Sequence, residues 1–150
     1  MSDDRYDWLA HRAQRTPERT ALLFESERWT VAALHAASNG LALVLREAGL
    51  AAGDRVALFA GNRPATVMAL HAVPRLHATL VPLNLRLSDD ELDYQLRLTE
   101  PRLLLSDAPN QATAEQIAAR TGTPLLVLPD STENVALAEP VPIPAGHVHT

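Results

Sequence analysis

Leu34, Ala37, Leu41, Val44, Leu45 and Ala48 recur along the chain at the spacing that lines up one face of an α-helix. Thr30 stands where a hydroxyl can cap that helix. Gly49 stands just past its end, where a left-handed residue closes the last turn. Upstream, Asp7–Arg15 is a shorter helical stretch with Trp8, Leu9 and Ala13 as its apolar side, stopped before Pro17. Between the two helices, Ala21–Glu25 and Arg28–Thr30 read as strands around a tight turn at Ser26-Glu27. The opening third is therefore helix, hairpin, helix.

From Gly53 the pattern changes. Arg55–Ala60, Thr79–Pro82, Arg102–Ser106 and Leu125–Leu128 are short apolar runs with little polar alternation, the mark of strands covered on both faces. Helical stretches separate them. Pro64 suits the first position of one, and Pro74 limits its length, because proline inside a helix costs about 3 kcal/mol or more. Ser88 and Glu91 form a capping box for the next, which buries Leu92, Leu96 and Thr99 before Pro101 breaks it. Asn110 can cap the third, over Gln111–Arg120, and Gly122 closes it. Strand and helix in alternation, joined by short loops, require a mostly parallel sheet flanked by helices, so the class is α/β, doubly wound. Three segments follow: 1–52 as helix, hairpin and helix packing on the sheet; 53–128 as the βαβαβαβ body; and 129–150 as a Pro-rich connector and strand. All belong to one domain.

Composition narrows the function. With 150 residues, 47% hydrophobic and 21% charged, the chain is an ordinary globular one rather than a disordered one. No apolar run approaches the roughly 20 residues needed to span a bilayer, and the acidic start MSDDRYDWLA is unlike a signal peptide, so a cytoplasmic location is expected. The absence of Cys removes disulfides, thiolate metal sites and thiol nucleophiles. A net charge of −5 with scattered arginines argues against nucleic acid as a partner. All 13 cationic side chains are Arg, which removes Schiff-base chemistry and a Walker-type phosphate lysine from this chain.

In a doubly wound sheet, ligands sit beyond the carboxyl ends of the strands. Here those loops are Gly61–Pro64, Leu83–Leu87, Asp107–Asn110 and Pro129–Ser131. None carries a GxGxxG or GxxxxGK[ST] pattern, and no serine stands in a GxSxG elbow. Asp89, Asp90 and Glu91 read as complements to a helix dipole rather than a metal cluster. His147 and His149 would share a strand face but have no third ligand nearby, and His71 and His77 read as structural. Arg63 is a candidate anion contact or an exposed loop residue. Spacing alone assigns no catalytic residue and no metal ligand.

The residues do, however, resemble a family. Asp7-Trp8-Leu9, then Arg15-Thr16-Pro17-Glu18-Arg19-Thr20-Ala21-Leu22, resemble the opening of the AMP-forming adenylating enzymes, in particular the acyl-CoA synthetases and o-succinylbenzoate–CoA ligase-like members. Trp29-Thr30-Val31-Ala32-Ala33-Leu34 is similar to their W/Y-T-[YF]-x-E-L segment. Gly53-Asp54-Arg55-Val56-Ala57-Leu58, Asn62, Pro64, Val81-Pro82-Leu83-Asn84, Arg86-Leu87-Ser88, Glu91-Leu92, Tyr94-Gln95-Leu96 and Pro101 follow in order. Asn84 favours the CoA-ligase branch over the nonribosomal-peptide adenylation domains, which tend to have Asp there. The departures are Ala33 in place of a glutamate, Pro74, and His77-Ala78 where members often have Gly-Ala.

The resemblance implies an enzyme that binds ATP, Mg²⁺ and CoA and acts on a small carboxylic acid. It aligns Thr150 with the first threonine of a glycine-rich phosphate loop, where its hydroxyl would donate to a phosphate oxygen. The remaining groups the family uses, a catalytic lysine among them, would lie beyond it. On that reading these 150 residues are the frame of a ligase, inert alone, whose natural partner is the remainder of the large domain; isolated, they would expose apolar surface and self-associate. The alternative is a non-enzymatic α/β interaction or regulatory module derived from a ligase N-terminus. A reading frame that continues past Thr150 into the glycine-rich loop and a distal lysine separates the two.

Overall fold

The computed structural model describes residues 7–129. Helix α1 (Trp8–Arg15) leads to a hairpin of β1 (Thr20–Phe24) and β2 (Glu27–Thr30), and α2 spans Val31–Glu47. The βα units follow: β3 (Arg55–Phe59), α3 (Pro64–Arg75), β4 (Thr79–Pro82), α4 (Asp89–Thr99), β5 (Leu103–Ser106), a single 3₁₀ turn at Ala108–Asn110, α5 (Gln111–Thr121) and β6 (Leu125–Val127). Strands β3 to β6 form one parallel sheet in the order β4-β3-β5-β6, and the antiparallel hairpin stands apart as a two-stranded sheet. The expected α/β class is therefore the observed one.

Period-two alternation along each strand divides the core between the two faces of the sheet. Val56, Leu58, Leu103, Leu105 and Leu126 point to one side, where they meet α1, α2, α3 and the buried Trp29 of the hairpin. Ala57, Phe59 and Leu104 point to the other, against Leu92 and Leu96 of α4 and Ala114 and Ile117 of α5. The chain leaves β3 for β4 across the first face, then reverses direction to reach β5 across the second. Crossovers of constant hand demand that change of face whenever the strand order reverses. The reversal places a topological switch point at the carboxyl ends of β3 and β5.

Helix ends follow the local chemistry. Thr30 Oγ1 accepts from the Ala33 amide, and Ser88 and Glu91 complete the expected capping box. At the end of α2, the Leu50 amide donates to Leu45 O and the Gly49 amide to Arg46 O, both at 3.0 Å, with Gly49 at φ +92°. That is a Schellman closure, and buried Leu45 and Leu50 supply its apolar contact. Helix α3 ends at Arg75, one residue past Pro74, and the chain turns away through His77 at φ +55°. A left-handed backbone at this position is one that glycine adopts without strain.

Some expectations are corrected. The hairpin turn is Glu25-Ser26, because Phe24 pairs with Glu27, and Glu25 takes the positive φ of +51°. Thr99 is half-buried, its hydroxyl donating to Gln95 O, and Trp8 is 54% exposed rather than core. Ala60, Arg102 and Leu128 fall just outside the strands assigned to them. Asn110 makes no side-chain cap on α5.

Candidate functional site

The switch point is held by Asp107. Its carboxylate, at a residue only 2% exposed, follows β5 and reaches across to the loop that follows β3. Oδ2 accepts from the Gly61 amide at 2.8 Å, and Oδ1 accepts from the Asn110 amide at 3.3 Å and from Asn110 Nδ2. Asp107 thereby caps the 3₁₀ turn and ties the two loops together. Both expected loops, Gly61–Pro64 and Asp107–Asn110, are brought together here, but by an anion of the chain itself. Sequence reasoning expected Asn110 to cap; the cap is Asp107, three residues earlier, and an Asp followed by Pro two positions on was the available signal.

The other candidates disperse. The guanidinium of Arg63, on the same loop, lies 5.5 Å from the ring centroid of Phe24, a cation–π distance that joins the loop to the hairpin. Asn84, on the loop after β4, folds back to accept from the Arg86 amide at 2.9 Å, an Asx turn. Of the acids that open α4, Glu91 completes the capping box, and its carboxyl is held below the ordinary range by hydrogen bonds from the Ser88 amide and hydroxyl. Asp90 pairs with Arg120 of α5 at 2.7 Å. His71 meets Trp8 edge-on, with centroids 5.5 Å apart. No group of three or more potential metal ligands occurs among the described residues. No helix among them is long and apolar enough to cross a membrane. Thr150, His147, His149 and Asp130 onward lie outside the described residues.

The described residues do not fit the triphosphate that the sequence resemblance implies. Phosphate sites of open α/β sheets use free backbone amides at a glycine-rich strand–helix turn. Here the Gly61 amide at that turn is committed to Asp107, and the chain has no lysine. The arrangement can brace two loops and two faces of a sheet. It offers no reacting group.

Relatives place the frame. The model of the AMP-binding enzyme family matches residues 9–145. The chain is 42% identical over 108 residues to a 2-succinylbenzoate–CoA ligase of Bacillus velezensis, covering 71% of this chain and 22% of that protein. It is 35% identical over 139 residues to a feruloyl-CoA synthase of an Amycolatopsis species, covering 93% of this chain and 28% of that one. The structure superposes on O-succinylbenzoate coenzyme A synthetase from Bacillus subtilis, solved with ATP and magnesium ion, with a TM-score of 0.73 and 32% identity, covering 89% of this chain and 34% of that one. The chain thus spans between a fifth and a third of the length of these proteins. With the family pattern matched in order from the buried Leu9 of α1 through β6 and beyond, and the same sheet underneath it, this chain belongs to the AMP-binding enzyme family.

Proposed function

We propose that this chain forms the N-terminal part of the large domain of an ATP-dependent carboxylic acid–CoA ligase. The whole enzyme would convert acid and ATP to an acyl-adenylate and pyrophosphate, then give a CoA thioester and AMP. The observation that carries this reading is the family match over residues 9–145. Relatives named as CoA ligases and synthases add support. The share of this chain is structural: it supplies a doubly covered sheet and the braced loops at its carboxyl end. ATP, Mg²⁺, CoA and a small carboxylic acid are ligands of the whole enzyme, which we place in the cytoplasm. Thr150 is proposed to donate its hydroxyl to a phosphate oxygen, and the remainder of the large domain is the partner that completes the site.

Reconstitution tests the reading. The Bacillus subtilis synthetase is expressed without the segment this chain matches, and acid-dependent ATP–pyrophosphate exchange is measured after adding back either that segment or this chain. Exchange restored by both is the expected result. Exchange restored by the enzyme's own segment and not by this chain would refute the assignment. Exchange by the 150-residue chain alone would refute its restriction to scaffold.

A further inference from the structure

One arginine joins three elements with every donor it has. Guanidinium carries five N–H donors and no acceptor. Arg75, in the last turn of α3, uses Nε at 2.7 Å and Nη2 at 3.5 Å on the two carboxylate oxygens of Asp7, the cap of α1. Nη1 donates to Asn39 Oδ1 at 2.7 Å and to the His35 carbonyl at 3.3 Å, both on α2. The remaining Nη2 hydrogen points to His35 Nδ1 at 3.0 Å. Both ring nitrogens face donors, Nδ1 the guanidinium and Nε2 the Asn39 amide nitrogen at 3.3 Å; the shorter contact makes Nδ1 the acceptor, and the neutral ring then has no lone pair left for Asn39. Asp7 serves twice, since Oδ1 also accepts from the Ala10 amide at 3.0 Å.

We propose that Arg75, His35 and Asp7 form an acid-released latch on α1: a second proton on His35 removes the acceptor at Nδ1, sets a new N–H against the guanidinium, and frees residues 7–15 from α2 and α3. The hinge lies at Thr16, because from Pro17 onward the carbonyls are held: Ala32 N–H donates to Pro17 O at 3.0 Å and Val31 N–H to Arg19 O at 2.8 Å. Beyond the latch, α1 is held by Leu9, at 1% exposure, and by the edge of Trp8 on His71. The charged groups that act on His35 are Arg75 of α3 and Asp7 at the cap of α1, and the same two act on His71 of α3; α1 also carries His11.

The direction follows from the same contacts. Burial and then the positive charge of Arg75 hold His35 below its ordinary value of 6.5, against a smaller upward pull from Asp7. His71 is lowered for the same reasons. The released state, with an ordinary imidazole, therefore binds more protons below about pH 6.5, and the latch is complete above that value and lost as pH falls. Asp7 titrates lower still. Burial would raise its carboxyl, but hydrogen bonds from Arg75 and the Ala10 amide, with the charge of Arg75, outweigh burial and hold it below 3.8. It therefore stays ionised through the transition.

Hydrogen exchange on the full chain reads the latch directly. Protection of the α1 amides, relative to those of β3 and β5, should fall about three- to tenfold between pH 7.5 and 5.5 after correction for intrinsic exchange, the upper figure set by an ordinary imidazole pKa. His35→Gln keeps an acceptor that does not titrate and should flatten that fall, whereas His71→Gln should leave most of it. A wild-type ratio that does not change with pH, or a fall of full size in His35→Gln, would overturn the proposal.

Discussion

The brace at the switch point gives the most direct energetic test. In Asp107→Ala the Gly61 and Asn110 amides lose a charged acceptor, and the 3₁₀ turn before α5 loses its cap. A hydrogen bond to a charged group contributes about 1.5–3 kcal/mol, and an N-cap about 1 kcal/mol. Against this, the nearly buried carboxylate no longer has to be desolvated, and water can reach the half-exposed Gly61 and Asn110. The balance is a loss of about 2–4 kcal/mol. With a urea m-value of about 2 kcal/mol/M for a chain of this size, the unfolding midpoint should fall by roughly 1–2 M at unchanged m. Asp107→Asn retains one carbonyl oxygen for Asn110 but turns an NH₂ toward the Gly61 amide, and should lose about half as much. A midpoint for Asp107→Ala within about 0.25 M of wild type, or about 0.5 kcal/mol at the same m-value, would show that solvent serves these amides as well as the carboxylate does, and the account of the switch point would fail.

Other outcomes are expected from single contacts. His77→Gly relieves a left-handed backbone at a solvent-exposed residue and should stabilise by about 0.5–1 kcal/mol in urea melts, while His77→Ala, which keeps the same strain, should not. Leu105→Ala empties a fully buried position of the central sheet and should cost about 2–5 kcal/mol by the same measurement. Thermal midpoints should rise from pH 5 to 7, because the lowered values of His35 and His71 leave the unfolded chain with more bound protons below about pH 6.5; a flat or falling profile contradicts those shifts. Tyr94 and Leu98, 66% and 67% exposed on α4, should promote self-association of the chain, and Leu98→Glu should lower its sedimentation coefficient at high concentration.

What could be read from the sequence is what is settled within a turn or a strand. Thr30 with Ala33, Ser88 with Glu91, and Gly49 with Arg46 act over three residues, and the apolar face of α2 repeats at a local period, so those elements and their ends were legible. The α/β class followed from alternation alone. The hairpin was legible as a hairpin but not in register: its turn lacks Asn-Gly chemistry, and pairing of Phe24 with Glu27 chose Glu25-Ser26. Trp8 reads as core by its chemistry, yet it is 54% exposed and meets only the edge of His71, while Leu9 and Ala13 pack α1 on the core.

The remaining features belong to the tertiary structure. Strand order was one of several that the same alternation allows, and the switch point exists only once β4 and β5 flank β3. Asp107 meets Gly61 across 46 residues and Arg75 meets Asp7 across 68. No periodicity or cap signal extends that far, since each such contact depends on the whole sheet bringing its ends together. The local code wrote the pieces, and long-range closure decided that the two loops of the switch point are tied together by the protein's own carboxylate.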